Sequence, residues 1–167
     1  MEKKNLNLII KNSLIASLYV VLTLVTYPVS YGNLGIEFRL SEIMILICFL
    51  DKKYIVGLTT GCFIANLFGT MGIIDAVIGS FATLLSCICI TKVKNIFIAS
   101  IFPVLFNGLI IGAELYFIYE IPFFMAALGV AIGEVVIVSI IGCPVFVYLK
   151  KNKSFMDFLS IESKKEL

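Results

Sequence analysis

Charged residues are scarce in this 167-residue sequence, because only 14% of its positions are Asp, Glu, Lys or Arg. Globular domains carry about a quarter. Apolar residues make up 60% of the chain, and the mean hydropathy is +1.09. A water-soluble domain of this length could not cover so much apolar surface with so few charges. The composition therefore excludes an ordinary soluble protein and predicts a chain embedded in the lipid bilayer.

Histidine is absent, which removes the commonest general base and metal ligand. The sequence also has no G-x-x-x-x-G-K-[ST] loop, so we do not expect the chain to bind and hydrolyse ATP by itself. No serine lies in a G-x-S-x-G context. These absences predict a protein that is not an enzyme and that uses no metal or other cofactor.

The five cysteines do not suggest a disulfide framework, because their number is odd and all of them lie in apolar stretches. A typical zinc site is not expected either, since the chain offers no histidine to complete one. Free cysteine usually behaves as a small apolar side chain. We therefore interpret these residues as packing residues of helices.

Lysines are confined to four short regions, which are the N-terminus, two breaks between apolar stretches and the C-terminal tail. The groups are Lys3, Lys4 and Lys11; Lys52 and Lys53; Lys92 and Lys94; and Lys150, Lys151, Lys153, Lys164 and Lys165. The positive-inside rule places all four in the cytoplasm. Consecutive cytoplasmic anchors need an even number of crossings between them. Each intervening stretch is long enough for two crossings of about 20 residues.

The sequence thus predicts an all-α polytopic membrane protein with six transmembrane helices and both termini in the cytoplasm. Proline, glycine and asparagine mark outer turns near residues 27–35, 69–72 and 120–122. The predicted spans are 7–28, 37–50, 54–69, 73–91, 96–119 and 123–149, within a single domain over residues 1–167. The second and third are short for a hydrocarbon core of about 30 Å. Pro103 and Pro144 are expected to kink their helices.

Polar side chains within the apolar spans are functional candidates, because burying them in a membrane is costly. They are Arg39, Glu42, Asn66, Asp75, Asn107, Glu114 and Glu134. In the predicted topology they lie near the midplane or in the outer half of the bundle. They describe a cup that opens outward above an apolar floor. A capture site has this shape, whereas a through-pore would carry polar residues along its whole length.

The cup contains more acids than bases, which favours a cationic ligand or one rich in hydrogen-bond donors. An alternative interpretation is that Arg39 and Glu42, one helical turn apart, pair with each other. Glu37 and Glu120 are equally consistent with solvated loop charges. Aromatic residues on the same side form an interfacial belt or stack on a flat ligand. Among them we select Tyr31 and Phe38 as candidates for ligand contact.

Several short strings, in this order along the chain, resemble the QueT family. They are Tyr31-Gly32, Phe38-Arg39-Leu40-Ser41-Glu42, Ala65-Asn66-Leu67-Phe68-Gly69, Asp75-Ala76-Val77-Ile78-Gly79-Ser80, Asn107-Gly108-Leu109, Gly112-Ala113-Glu114-Leu115 and Gly133-Glu134. The resemblance covers about residues 13–145. It implies a substrate-binding (S) component of an energy-coupling factor (ECF) transporter for queuosine precursors. Such a component works with a shared transmembrane subunit and two ATPases.

The first helix is implied to dock on the transmembrane subunit, through a face that in the family carries an alanine-xxx-alanine motif. Here Ser13 and Ser17 occupy the matching positions, with Ala16 beside them, so these three residues are the docking candidates. Small residues at this spacing let two helices approach closely. From spacing alone, the stripe could instead pack inside the bundle.

Queuosine precursors are 7-deazaguanines, whose N1–H and 2-amino groups can both donate to one carboxylate in a bidentate pair. The candidate ligands are preQ1, preQ0, queuine and queuosine, and the sequence does not rank them. It also leaves open which acid meets the base edge and which meets the amine of preQ1 or queuine. The main alternative is a proton-coupled carrier that acts without ATPases, with Glu134 or Glu114 as its proton site.

Overall fold

The computed structural model describes residues 2–30 and 38–159, and this part of the chain is helical with no strand. The α-helices are α1 (Glu2–Ser30), α2 (Ile47–Leu50), α3 (Ile55–Leu67), α4 (Ile73–Ile90), α5 (Ile96–Ala99), α6 (Ile101–Tyr119), α7 (Phe123–Glu134), α8 (Cys143–Leu149) and α9 (Lys153–Leu159). Two 3-10 segments, Leu40–Leu46 and Lys52–Tyr54, precede α2 and α3. A π-helix, Val135–Gly142, joins α7 to α8.

Four helical stretches in the described residues are long and apolar enough to cross a membrane. They are Asn5–Thr26, Ile73–Ile90, Ile96–Tyr119 and Phe123–Leu149. They coincide with the first, fourth, fifth and sixth predicted spans. The first helix continues to Ser30, so the start of the predicted outer turn at residues 27–35 is helical and includes Pro28. A membrane helix tolerates a proline, although the proline removes one backbone hydrogen bond.

The second and third predicted spans are the short ones. Residues Leu40–Leu50 form a 3-10 segment followed by α2, and α3 has 13 residues. At rises of about 2.0 Å per residue for 3-10 and 1.5 Å for α-helix, each stretch covers roughly 20 Å. Both lie inside the bundle, since Ile45, Leu46 and Leu58 are completely buried. Six crossings therefore remain a prediction.

Close backbone contact joins α1 to α3 at two glycines. A Cβ atom at Gly57 would lie 2.7 Å from the backbone oxygen of Asn12, and one at Gly61 would lie 2.9 Å from that of Ala16. The Gly57 N–H donates to Asn12 Oδ1 at 2.8 Å. Small residues at these positions are what allow two membrane helices to pack this tightly.

The structure has a helix break before one of the two predicted kink prolines and a π-helix before the other. Pro103 lies in the first turn of α6, where no partner for its missing N–H is required, and the helix break falls at Ser100 instead. Pro144 follows a π-helix that ends at Gly142, so the last long helix widens before the proline. Glu134 is the final α-helical residue before this π-helix, a type of irregularity that is frequent at functional sites.

The end of the bundle that carries Lys52, Lys92 and Lys150 is called the lysine-rich end below. Helix α9 contacts the bundle at this end, where the Tyr54 hydroxyl donates to the Leu159 carbonyl at 2.8 Å. The main hydrophobic cluster extends to this end through Ile90, Cys143 and Phe146, each at most 4% exposed. At the opposite end the Tyr119 hydroxyl donates to Thr70 Oγ1 at 3.2 Å.

Candidate functional site

A small cavity of about 10 Å³ lies between the 3-10 segment before α2 and helices α4, α6 and α7. It is lined by Arg39, Glu42, Gly79, Thr83, Asn107, Ile111, Val130 and Glu134. Four of these side chains are charged or carboxamide groups, and two are apolar walls. A volume of this size holds about one water molecule. The cavity is therefore too small for a heterocycle in this conformation.

Two buried carboxylates in the cavity share one amide group. Asn107 Nδ2 donates to Glu134 Oε1 at 2.5 Å and to Glu42 Oε2 at 3.4 Å. The Tyr19 hydroxyl donates to Glu42 Oε1, on the other oxygen of that carboxylate. Glu42, Asn107 and Glu134 are 1%, 5% and 6% exposed. We call these three residues the carboxylate bridge, and it presents acceptor oxygens from two helical elements to one point.

Arg39 lines the same cavity as the carboxylate bridge and contacts two further polar residues. One guanidinium nitrogen lies 3.5 Å from Asp75 Oδ2, and another donates to Asn66 Oδ1 at 3.1 Å. The Asn66 amide nitrogen in turn donates to the Asp75 backbone carbonyl at 3.1 Å. Gly79 leaves room for this arrangement, because a Cβ there would lie 2.3 Å from Asn66 Nδ2.

The predicted site residues fall into separate positions. Arg39, Glu42, Asn107 and Glu134 line the cavity, whereas Asn66 and Asp75 lie behind Arg39. The alternative interpretation was that Arg39 pairs with Glu42. Arg39 also contacts Asp75 and Asn66, so Glu42 would not be its sole partner. The sequence predicted that all these residues belong to one cup. It did not predict which of them line the cavity and which contact Arg39 instead.

Glu114 and Phe38 are not among the residues that line the cavity. Glu114 is buried, one turn of α6 beyond Ile111, and lies beside an apolar groove of about 510 Å³ between α4 and α6. Phe38 is partly buried and packs against the main hydrophobic cluster. Tyr31 lies outside the described residues, as does Glu37.

Sequence analysis missed Thr83, which lines the cavity and donates its hydroxyl proton to Cys62 Sγ at 3.2 Å. A hydroxyl has one proton, so the Thr83 oxygen can offer only lone pairs to the cavity. The signal was present in the spacing of α4, where Asp75, Gly79 and Thr83 follow each other at intervals of four and share one helix face. Threonine carries no charge and did not stand out in an apolar span.

The docking candidates divide between two environments. Ala16 is buried against Gly61, whereas Ser13 and Ser17 are exposed, and the Ser17 hydroxyl donates to the Ser13 carbonyl at 2.8 Å. All three border a mainly apolar groove of about 690 Å³ between α1 and α3. Internal packing thus uses Ala16, while the two serines remain available on the surface.

The family description "QueT transporter" matches residues 9–151 of the chain. The chain is also similar to the queuosine precursor transporter QueT of Lactococcus lactis subsp. cremoris (strain MG1363). The two are 31% identical over 152 residues, which cover 80% of this chain and 87% of that protein. No solved structure matches. This match over most of the chain confirms the predicted family, and the protein belongs to the QueT transporter family of membrane proteins.

Proposed function

We propose that this chain is the substrate-binding subunit of an ATP-driven ECF importer and that it captures a queuosine precursor from outside the cell. The observation that carries the proposal is the carboxylate bridge, which lines one cavity together with Arg39. Buried carboxylates in a membrane helix bundle are costly, and a ligand that donates hydrogen bonds to them offsets the cost. The similarity to a queuosine precursor transporter supports the same ligand class.

The donor and acceptor pattern of the cavity fits a 7-deazaguanine base. The N1–H and 2-amino donors of the base suit a carboxylate of the bridge in fork geometry. Arg39 can donate to the O6 carbonyl, while Ile111 and Val130 provide apolar surface for the flat ring. A cavity of about 10 Å³ must expand before a heterocycle enters, so ligand binding is expected to move the surrounding helices.

Six crossings with the lysine-rich end in the cytoplasm form part of this proposal. All four lysine groups would then satisfy the positive-inside rule. The part of the main hydrophobic cluster that contains Ile90, Cys143 and Phe146 would separate the cavity from the cytoplasm, as expected of a capture site that does not conduct on its own. The short second and third spans would be accommodated by neighbouring helices and local thinning of the bilayer.

Docking on the importer's transmembrane subunit is assigned to the exposed serine face of α1. Ser13 and Ser17 border a groove whose lining is almost entirely apolar, so a partner helix could approach without losing hydrogen bonds. Energy would come from the partner ATPases, because this chain carries no nucleotide-binding loop.

A second candidate function is a proton-coupled carrier, and the carboxylate bridge is what favours it. Two carboxylates held by one amide form a site that can exchange a proton when a ligand arrives or leaves.

Uptake measurements separate the two functions. Cells that express the chain with and without the ECF module are given labelled preQ1, and the proposal expects uptake only with the module and with ATP. Vesicles that contain this chain alone and are depleted of ATP should remain empty. Accumulation in those vesicles, driven by a proton gradient, would establish the carrier and reject the ECF assignment.

A further inference from the structure

The described residues that line the cavity divide equally between two parts of the structure. One part is the pair of helices α6 and α7 with the short turn that joins them, called the α6–α7 hairpin below; it contributes Asn107, Ile111, Val130 and Glu134. The other part is α4 and the 3-10 segment before α2 with its cap, which contribute Arg39, Glu42, Gly79 and Thr83. The cavity is therefore an interface, and it expands if the two parts separate.

Close packing joins α6 to α7, so the hairpin is able to move as one unit. A Cβ atom at Gly112 would lie 2.7 Å from Ala127 Cα, and one at Gly108 would lie 3.3 Å from Ala131 Cβ. Glycines at this spacing let the backbones of two membrane helices approach closely. Helix α6 also packs against α4, and a rearrangement of that contact belongs to any opening of the cavity.

Hydrogen bonds from the hairpin differ in length according to whether they stay inside it. Asn107 Nδ2 donates to Glu134 Oε1 at 2.5 Å within the hairpin, but its distance to Glu42 Oε2 across the cavity is 3.4 Å. At the outer tip the Tyr119 hydroxyl donates to Thr70 Oγ1 at 3.2 Å, in an exposed position where water can replace either group. Separation of the two parts would thus break a long bond and an exposed one, and would keep the short one.

Both chain segments that lead into the hairpin from the lysine-rich end are irregular. The helix breaks at Ser100 before α6, and Val135–Gly142 after α7 is a π-helix. The Ser139 hydroxyl donates to Ser100 Oγ at 2.9 Å, so the two irregular points are in contact. A proline follows each of them, Pro103 and Pro144, and neither donates a backbone hydrogen bond to the preceding turn. Prolines and π-helical turns are where helices bend.

We infer that the α6–α7 hairpin is the gate of the cavity, and that it pivots about Ser100 and the π-helix to admit the ligand. The inference rests on the proposed function. The pivot carries Asn107 and Glu134 away from Glu42 together, so the cavity widens while the bond between them is kept. Tyr119, at the end of α6 farthest from the pivot, makes the largest displacement.

Distances between paired nitroxide labels test the motion on the full-length chain in lipid nanodiscs, with and without preQ1. One pair, Thr70→Cys with Tyr119→Cys, spans the two parts of the structure. The control pair, Leu105→Cys with Leu128→Cys, lies within the hairpin at exposed positions beside one groove. Both variants also carry Cys89→Ala, because Cys89 is the native cysteine that is partly exposed. We expect preQ1 to lengthen the first distance by several ångströms and to leave the second unchanged.

A reversible bridge between the same cysteines tests whether binding needs the motion. A bis-methanethiosulfonate reagent with a short spacer links each pair in the ligand-free chain, and a reductant removes the link. The chain bridged between positions 70 and 119 should lose preQ1 binding and regain it on reduction. The chain bridged between positions 105 and 128 should bind as its reduced form does, because that bridge leaves the hairpin free to pivot.

The outcomes separate the inference from the function on which it rests. An unchanged distance in the first pair with preQ1 bound, or full binding to the chain bridged between positions 70 and 119, would overturn the gate and leave precursor binding intact. Equal changes in both pairs would also overturn it, because the hairpin would then not move as one unit. Failure of the wild-type chain to bind preQ1 would reject the proposed function itself.

Discussion

The cavity and the groove between α1 and α3 are built from opposite kinds of surface. The cavity is small, and its Glu42, Asn107 and Glu134 side chains are buried and joined by hydrogen bonds. The groove is open and mainly apolar, and its polar positions, Ser13 and Ser17, are small and exposed. Recognition in the first depends on charge and donor placement, whereas recognition in the second depends on how closely a helix can approach. Substitutions should therefore affect the two regions separately.

The largest expected effect comes from filling the groove. Ser13→Leu combined with Ser17→Leu should abolish co-purification with the transmembrane subunit of the ECF module, because added bulk blocks close helix approach. Ligand affinity of the isolated chain should not change, since both positions lie on the exposed face of α1. Co-purification and ligand binding are measured on the same preparation.

The control for this variant changes volume on another exposed face of the same helix. Leu14→Ala combined with Leu18→Ala alters two exposed residues that do not line the groove, so assembly should be retained. If the double serine variant still assembles fully, the partner-binding face of the chain lies elsewhere.

A smaller but still large effect is expected on the cavity side from Gly79→Ala. The new Cβ would lie 2.3 Å from Asn66 Nδ2, so Asn66 must move and release its hold on Arg39. Overpacking of this kind typically lowers the free energy of unfolding by about 1–3 kcal/mol. If Arg39 is displaced, the ligand loses a hydrogen bond to a charged group, worth about 1.5–3 kcal/mol, so we expect its affinity to fall by roughly 10- to 150-fold, with assembly unchanged. Ser80→Ala, at the next position of α4, is the control, because that hydroxyl bonds within its own helix. Wild-type affinity in Gly79→Ala would refute the role assigned to Asn66.

The smallest expected effect on ligand affinity comes from Thr83→Val, which tests whether the cavity needs an acceptor at this position. Thr83→Val keeps the shape of the side chain but removes the oxygen whose proton is held by Cys62. Loss of one neutral hydrogen bond is worth about 0.5–1.5 kcal/mol, so ligand should bind roughly 2- to 10-fold more weakly. Thr83→Ser retains the hydroxyl and should stay near wild type. Equal affinities of the Val and Ser variants would show that Thr83 does not contact the ligand.

Hydropathy and charge placement predicted the helical class and the four long apolar helices, because the bilayer imposes length and composition directly. They did not predict the 3-10 segment before α2 or the π-helix after Glu134. A 3-10 helix has hydrogen bonds between residues three apart and a π-helix between residues five apart, instead of four apart as in an α-helix. Which of these forms occurs depends on how the neighbouring helices pack. The first turn was likewise predicted too early, since Pro28 lies within a helix that continues to Ser30.

The candidate site was predictable to the extent that polar side chains in apolar helices must face the bundle interior. This argument identified Arg39, Glu42, Asn107 and Glu134, which meet in one cavity. It could not separate them from Asn66, which supports Arg39, or from Glu114, which lies beside another groove. Helix rotation and crossing decide which polar residues meet, and one sequence does not encode these as a readable pattern.

Ligand binding to Glu42→Gln and Glu134→Gln tests the central claim most directly, with preQ1 titrated into the purified chain. If the carboxylate bridge binds the precursor, the more affected variant should lose about 1.5–3 kcal/mol of binding free energy, or roughly 10- to 150-fold in affinity. Glu120→Gln should bind as the wild type does, and each variant should keep its helical circular dichroism. Unchanged affinity in both folded bridge variants would contradict the account.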